Sequence, residues 1–338
     1  MSAPVIRDAP AAAPSWPGLL RRTNVQLVLL LVVLFVAFSL SVDRFFSTES
    51  FWSMGIQVSG LGILSLAMMI TLLKGGINLS IIATANLCSL TMAYVMGQLT
   101  PPGTEGAALA FGLVVALGAG ALVAAVIGAL NGYIIAYLGV SPILATLGTM
   151  TLVKGIAVGL TAGDVLSGFP AIITFIGNGA VFGVPFSLFV FIACAIPVAI
   201  WLSHTPTGMF VYMIGSNEQA TRYSGVDTKR VVFKVYVYSS LLAWLGAIVL
   251  MGWLNSARAD YSESYLLVTI LAAVLGGIDP FGGAGKVIGL VLALAILQVI
   301  SSAFNLLGFS PFLTLAIWGV ILVAAAAVAI VTRQGRRS

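Results

Sequence analysis

The side chains able to do chemistry are few and scattered in this 338-residue chain: ten carboxylates, one histidine and two cysteines. The carboxylates are Asp8, Asp43, Glu49, Glu105, Asp164, Glu218, Asp227, Asp260, Glu263 and Asp279, and each falls in a tail, a polar break or the end of an apolar run. Carriers driven by protons or sodium commonly hold the coupling ion at an ionisable group inside the membrane, so this distribution disfavours an ion-coupled carrier, although backbone carbonyls alone can bind sodium. The lone histidine, His204, ends an apolar run, where an imidazole is expected to cap the last helical carbonyls rather than to catalyse. One histidine without clustered carboxylates assembles neither a metal site nor a nucleophile with its base, which argues against an enzyme. Cys88 and Cys194 have no metal-ligand or redox spacing and are expected to be small core residues. The run from Gly282 to Lys286 approaches a phosphate-binding loop, but that motif needs glycine where Pro280 stands and Ser or Thr where Val287 stands.

The elements that must carry these residues are membrane helices. Sixty percent of the residues are hydrophobic and only 7% are charged, against roughly a quarter charged in soluble domains. Long apolar runs such as 25–40 lack the alternation of a membrane β-strand, which excludes a barrel. Apolar windows and polar breaks predict ten spans at about 24–42, 54–73, 81–98, 106–127, 142–161, 185–203, 231–253, 265–278, 286–304 and 311–331. The domain reading is a disordered tail over 1–23, a membrane domain over 24–331 and a C-terminal tail over 332–338. With the N-terminus inside, Arg7, Arg21, Arg22, Lys74, Arg222, Lys229, Arg230, Lys234, Lys286, Arg333, Arg336 and Arg337 fall at or near the cytoplasmic face. Only Arg44, Lys154 and Arg258 fall toward the other side, so positive residues place both termini in the cytoplasm. Their position at span ends also accounts for the net charge of +5 without a nucleic-acid partner.

Three breaks differ from plain connections. The polar stretch 204–230 is predicted to hold a short helix over 217–223, with Ser216 or Asn217 as N-cap, Glu218 in the first turn and Gly225 as the stop. It is either a solvated linker or a docking element for a cytoplasmic partner. The runs from Lys74 to Ser80 and from Gly276 to Gly283 are rich in glycine, with Asn78 or Ser80 able to cap the helix that follows. Backbone exposed in this way is tolerated at depth only beside protein or a water-filled cavity, which makes Gly75, Gly76, Asn78, Ser80, Gly276, Gly277 and Asp279 candidates for a translocation path. Both runs are equally readable as plain cytoplasmic turns. Gly118, Gly120, Ala124, Gly128 and Gly132 are expected to let helices approach closely.

Several of these stretches resemble one family. They are Gly75-Gly-Ile-Asn-Leu-Ser80, Pro142 to Thr149, His204-Thr-Pro-Thr-Gly208, Gly215 to Val226, Ala272 to Lys286 and Asn305-Leu-Leu-Gly308. In order and spacing, from about 25 to 331, they are similar to the ribose, arabinose and galactoside permeases of ATP-binding-cassette importers. The resemblance implies an all-α polytopic fold of about ten transmembrane helices, of the ribose or branched-chain-amino-acid permease type, in a bacterial inner membrane. It implies a translocation path for a monosaccharide or related small carbohydrate. A non-sugar cargo, such as an amino acid or a signalling molecule, stands as the alternative. The implied partners are cassette ATPase subunits, a second permease copy or paralogue, a periplasmic or lipid-anchored sugar-binding protein, and membrane lipid. No cofactor is implied for this chain, ATP and Mg being bound by the partner ATPase. By the same resemblance Gly215, Asn217, Glu218, Ala220, Arg222 and Gly225 form the segment that couples to that ATPase. Two departures stand out: Asn78 where the family usually has Asp, and Ile278-Asp279-Pro280 in place of a more common Thr-Ser-Leu.

Overall fold

In lipid no water is available to backbone N–H and C=O groups, so a long apolar run satisfies them within its own helix. The computed structural model describes residues 23–101 and 103–334; the expected N-terminal tail, apart from Thr23, and residues 335–338 lie outside the described residues. Thirteen helices appear among the described residues: α1 (Thr23–Ser41), α2 (Thr48–Leu73), α3 (Ile81–Leu99), α4 (Gly106–Ala136), α5 (Pro142–Thr161), α6 (Ala171–Asn178), α7 (Phe186–His204), α8 (Pro206–Ser216), α9 (Glu218–Tyr223), α10 (Thr228–Leu254), α11 (Tyr265–Leu275), α12 (Val287–Leu306) and α13 (Pro311–Gln334). Eight of them, α1 to α5, α7, α10 and α12, are long and apolar enough to cross a membrane, while α11 and the 312–323 part of α13 are shorter apolar helices. The chain is an all-α polytopic membrane protein, with one apolar helix for each of the ten expected spans.

Successive crossings alternate in direction, which sorts the connections into two ends. One end holds residues 74–80, 137–141, 205–227 and 276–286, and is called here the glycine-rich end. The other holds 42–47, 100–105, 162–185, 255–264 and 307–310. There, β1 (Leu166–Ser167) pairs antiparallel with β4 (Ser256–Ala257), and β2 (Ala180–Val181) pairs with β3 (Val184–Pro185).

Several boundaries differ from the sequence expectation. α4 runs to Ala136 instead of ending near 127, because Asn131 and Gly132, polar or small enough to suggest a break, are buried against neighbours and continue the helix. α11 stops at Leu275, three residues early, where Gly277 takes φ +81°. Residues 162–185, expected as a connection, contain α6, whose Gly177 lies against the α10 backbone while Asn178 Nδ2 donates to the Gly252 and Trp253 carbonyls at 2.9 and 3.0 Å. His204 caps no carbonyl among the bonds seen; its Nδ1 lies 2.6 Å from the hydroxyl of its neighbour Ser203.

The core centres on α2, which is buried on every side from Ser59 to Leu73. Helices α7, α10, α11 and α12 surround it, with α3 and α4 beyond α10. Close approach is set by small residues: Gly60 of α2 faces Leu250, and Gly62 faces the Phe191 ring. Between α4 and α10 the contact is backbone to backbone. A Cβ on Gly128 would stand 2.7 Å from Val237 Cα, and one on Gly132 would stand 2.9 Å from the Phe233 carbonyl oxygen. Such contacts gain dispersion energy that lipid cannot supply. At the periphery, α1 packs on α12 and shows Leu29, Val33 and Val36 outward.

Gly128→Val should lower stability by about 1–3 kcal/mol, the usual cost of overpacking. Gly118→Val, on the same helix with nothing within 4 Å of its Cβ position, should be near neutral. Thermal melting of both variants in detergent checks the contrast.

Candidate coupling site at the glycine-rich end

The stretch after α7 builds itself from local caps. Thr205 Oγ1 accepts from Gly208 N at 3.1 Å and Pro206 opens α8, both usual at a helix start. Asn217 then caps α9, its Oδ1 accepting from Ala220 N at 2.9 Å, while Thr221 Oγ1 donates back to the Asn217 carbonyl at 2.8 Å. Gly225, at φ +82°, turns the chain out of α9. Asp227 starts α10 by accepting from Arg230 N at 3.1 Å and holding Arg230 Nε at 2.8 Å. The connection 204–230 is therefore mostly helical. Thr221 is buried, whereas Asn217, Glu218, Ala220, Arg222 and Gly225 are exposed, and Tyr223 is 90% exposed.

The base of this projection is a junction of three chain segments. Gly283 N donates to the Leu73 carbonyl at 2.8 Å, joining the α11–α12 connection to the end of α2. A Cβ on Gly282 would meet Gly75 N at 2.6 Å and Gly215 Cα at 2.8 Å. One on Gly215 would run into the Leu73 carbonyl oxygen and Gly283 N. Tyr212 on α8 donates its hydroxyl to the Gly285 carbonyl at 3.0 Å. Asp279 ties its own loop together, its Oδ1 accepting from Phe281 N at 2.9 Å. Gly276 lies against Gly289 and Leu290, locking the end of α11 to the start of α12.

Behind the junction lies a buried polar network. Asn78 and Ser80 have no exposed surface. Asn78 Oδ1 accepts from Ser80 N at 3.1 Å and from Ser80 Oγ at 2.7 Å, and its Nδ2 donates to Ser239 Oγ on α10 at 3.0 Å. Asn131 Nδ2 on α4 donates to Ser80 Oγ at 2.9 Å, and Ser239 donates on to the Ala67 carbonyl of α2 at 2.8 Å. Ser80 precedes α3 but makes no side-chain cap; its hydroxyl is turned to Asn78 instead. An aspartate at 78 could not make the donation to Ser239, so asparagine is the residue that fits this network.

Lys74, the residue after α2, is also buried and lies with its Nζ 5.3 Å from the centre of the Tyr236 ring. Burial lowers its pKa from 10.5 to about 8, opposed by the Glu218 carboxylate on α9. That drop corresponds to about 3 kcal/mol held against the charged form. The structure thus brings the two glycine-rich runs together at one point, Gly75 against Phe281 and Gly282, with Gly215 on the same junction, whereas Asn78 and Ser80 turn to Ser239 and Asn131, and Gly276 to Gly289. Sequence reasoning missed Asn131, whose signal was an amide inside an otherwise apolar run, and Tyr223, an aromatic residue at the tip of a polar turn.

The geometry of an apolar bundle with one folded projection now meets its relatives. A family described as branched-chain amino acid transport system / permease component matches residues 52–326, most of the chain. The chain belongs to this permease family. Among similar proteins, the autoinducer 2 import system permease protein LsrD of Photorhabdus luminescens is 30% identical over 271 residues, covering 78% of either chain. Its counterpart in Photorhabdus temperata is 31% identical over the same length. The LsrD of Yersinia pestis (strain Pestoides F) is 29% identical over 314 residues, 90% of this chain and 91% of that one. No solved structure matches. As a permease, the chain is a multi-pass membrane subunit of an importer and is not itself catalytic.

Asn78→Leu should cost about 1–3 kcal/mol, because it leaves the buried Ser80 N–H and hydroxyl without their acceptor; melting in detergent measures this. Lys74 gives a pH signature. Below about pH 8 both folded and unfolded chains are protonated there, and the folded state bears the whole penalty. Between about 8 and 10.5 only the unfolded chain keeps the proton, so stability rises with pH. Wild-type melting temperature should climb over that window, and the climb should be smaller in Lys74→Met.

Proposed function

We propose that the chain is the membrane-spanning subunit of an ATP-driven importer, carrying a monosaccharide or sugar-like small molecule handed over by an external binding protein. The observation that carries this reading is the exposed α9, whose base at Gly215 is held backbone to backbone against α2 and the α11–α12 connection. A separate ATPase grips α9 through Glu218, Arg222 and the Tyr223 ring, and Gly225 lets the tip turn away from the bundle. Aromatic and arginine side chains that project from a rigid base are the usual anchors of a protein interface. Closure of the ATPase moves α9, and the junction passes the displacement to α2, α11 and α12 together. Two permease chains enclose the path, as a second copy or a paralogue.

In this reading the glycine-rich end faces the cytoplasm. Lys74, Arg222, Lys229, Arg230, Lys234 and Lys286 lie at that end, against Arg44, Lys154 and Arg258 toward the other, which agrees with the preference of short basic loops. The LsrD relatives are named for autoinducer 2, so a signalling molecule stands beside a monosaccharide as cargo.

Tyr223→Ala and Arg222→Ala should each insert normally but weaken co-purification of the ATPase at least tenfold, with ATP-dependent uptake into proteoliposomes falling in parallel. A cysteine at Ser224 should react with an impermeant thiol reagent only from the cytoplasmic side. Labelling only from outside, or uptake driven by an ion gradient without the ATPase, overturns the assignment.

A further inference from the structure

Two adjoining cavities, of about 440 and 590 Å³, lie at the end opposite the glycine-rich junction, and they share Gln57, Ser301 and Asn305. Both volumes fall in the range of roughly 300–1,000 Å³ usual for small-molecule sites. Their walls are two facing helical stripes. On α2, Ser50, Ser53 and Gln57 recur at steps of three and four, and on α12 Asn305, Ser301 and Gln298 do the same, so each set occupies one helix face. The stripes converge where Gln298 Nε2 donates to Gln57 Oε1 at 3.2 Å, with Gln57 Nε2 held by Ser53 Oγ at 2.7 Å. At 1.5 Å per residue this amide pair sits about 13 Å inside the helix ends, close to the middle of a bilayer core about 30 Å thick. Beyond it, Leu61 and Leu297 make an apolar floor.

An amide at that depth is costly against lipid and is retained where it faces protein or a wet cavity. The chemistry of the walls is specific. The inner part is lined by amides, hydroxyls, the Tyr265, Phe309, Phe312 and Trp318 rings and the aliphatic Val268 and Leu315, and among the described residues the only charged side chains in the lining, Arg44 and Glu49, stand at the outer cavity. The Gln57 and Gln298 amides, bonded to each other and to Ser53, each keep a second N–H, and Gln298 Oε1 is not engaged in that pair. Donors and an acceptor therefore remain for the adjacent hydroxyls of a polyol, while ring faces suit its C–H surface. A free amino acid would need opposite charges beside its carboxylate and ammonium, and the inner part provides neither.

We propose that this vestibule is the outward half of the translocation path, that Gln57 and Gln298 bind the cargo at its floor, and that the cargo is an uncharged polyhydroxyl compound. The inference rests on the importer reading above. Two measurements test it separately from that reading. The first needs no cargo: in a Cys88→Ala, Cys194→Ala background, Ser301→Cys should react with a charged methanethiosulfonate reagent at least a hundredfold faster than Ser240→Cys, which is buried in the bundle. Equal rates would show that no water-filled vestibule exists. The second uses proteoliposomes holding the complete transporter, with labelled D-ribose, D-galactose, L-arabinose and autoinducer 2 set against L-leucine and L-glutamate. Uptake of a neutral polyhydroxyl probe, falling at least tenfold in both Gln57→Leu and Gln298→Leu while the complex still assembles on a sizing column, is the expected result. Uptake of an amino acid, or polyol uptake unchanged in both variants, overturns the inference while leaving the importer reading intact. Absence of any ATP-dependent uptake by the wild type would instead count against the importer reading, and the labelling rates would still decide the vestibule.

Discussion

Everything at the glycine-rich end depends on three backbones touching with no side chain between them. Leu73–Gly75, Gly215 and Gly282–Gly283 come from parts of the chain separated by more than sixty residues, yet a hydrogen bond from Gly283 N to the Leu73 carbonyl ties two of them and the Gly215 backbone packs directly against both. Side chains hop between rotamers and absorb small displacements, whereas backbones in van der Waals contact do not. A displacement of α8 therefore cannot be taken up locally and must move the ends of α2, α11 and α12 with it. The buried network of Asn78, Ser80, Asn131 and Ser239 extends the same rigidity to α4 and α10.

Polarity inside the bundle is spent in two ways. At the glycine-rich end Asn78 uses both its donor and its acceptor within a buried network, although Asn131 Oδ1 and the Tyr236 and Ser240 hydroxyls there have no hydrogen-bond partner among the described residues. Between α2 and α12 polar side chains line open volume, and the Gln57–Gln298 hydrogen bond links the two helices beside the apolar contact of Met54 with Val299 and Ala303. Matched groups stiffen a core, while unmatched ones beside a cavity favour water or a hydroxylated solute. One sequence thus builds a close-packed end and a cavity-bearing end on the same two helices, α2 and α12.

The helices were legible because an apolar run of about twenty residues has few alternatives in lipid. The caps of α9 were legible for an equally local reason, since Asn217 and Gly225 act on neighbours within four residues. α6 was not, because eight residues between two glycine-bearing turns are too short to show a period. Nor was the junction. Glycines near 75, 215 and 282 look alike in sequence whether they meet or face solvent, and only the fold brings them together. The same holds for the two polar stripes: Ser53 and Gln57 look like ordinary breaks in an apolar run until α12 supplies their counterparts some 240 residues later.

The all-round burial of α2 from Ser59 to Leu73 carries a consequence for biogenesis. A helix whose 59–73 part ends up enclosed by protein must still cross the bilayer before the later crossings emerge to enclose it. Its hydroxyls are already satisfied along its own axis: Ser59 donates to the Gly55 carbonyl at 2.6 Å, Ser65 to Leu61 at 2.7 Å and Thr71 to Met68 at 2.8 Å. Bonds of this kind need no neighbour, so the segment can rest in hydrocarbon as a free-standing helix during synthesis. The protein's most enclosed element is thereby also one that can wait, unaccompanied, for the rest of the chain to arrive.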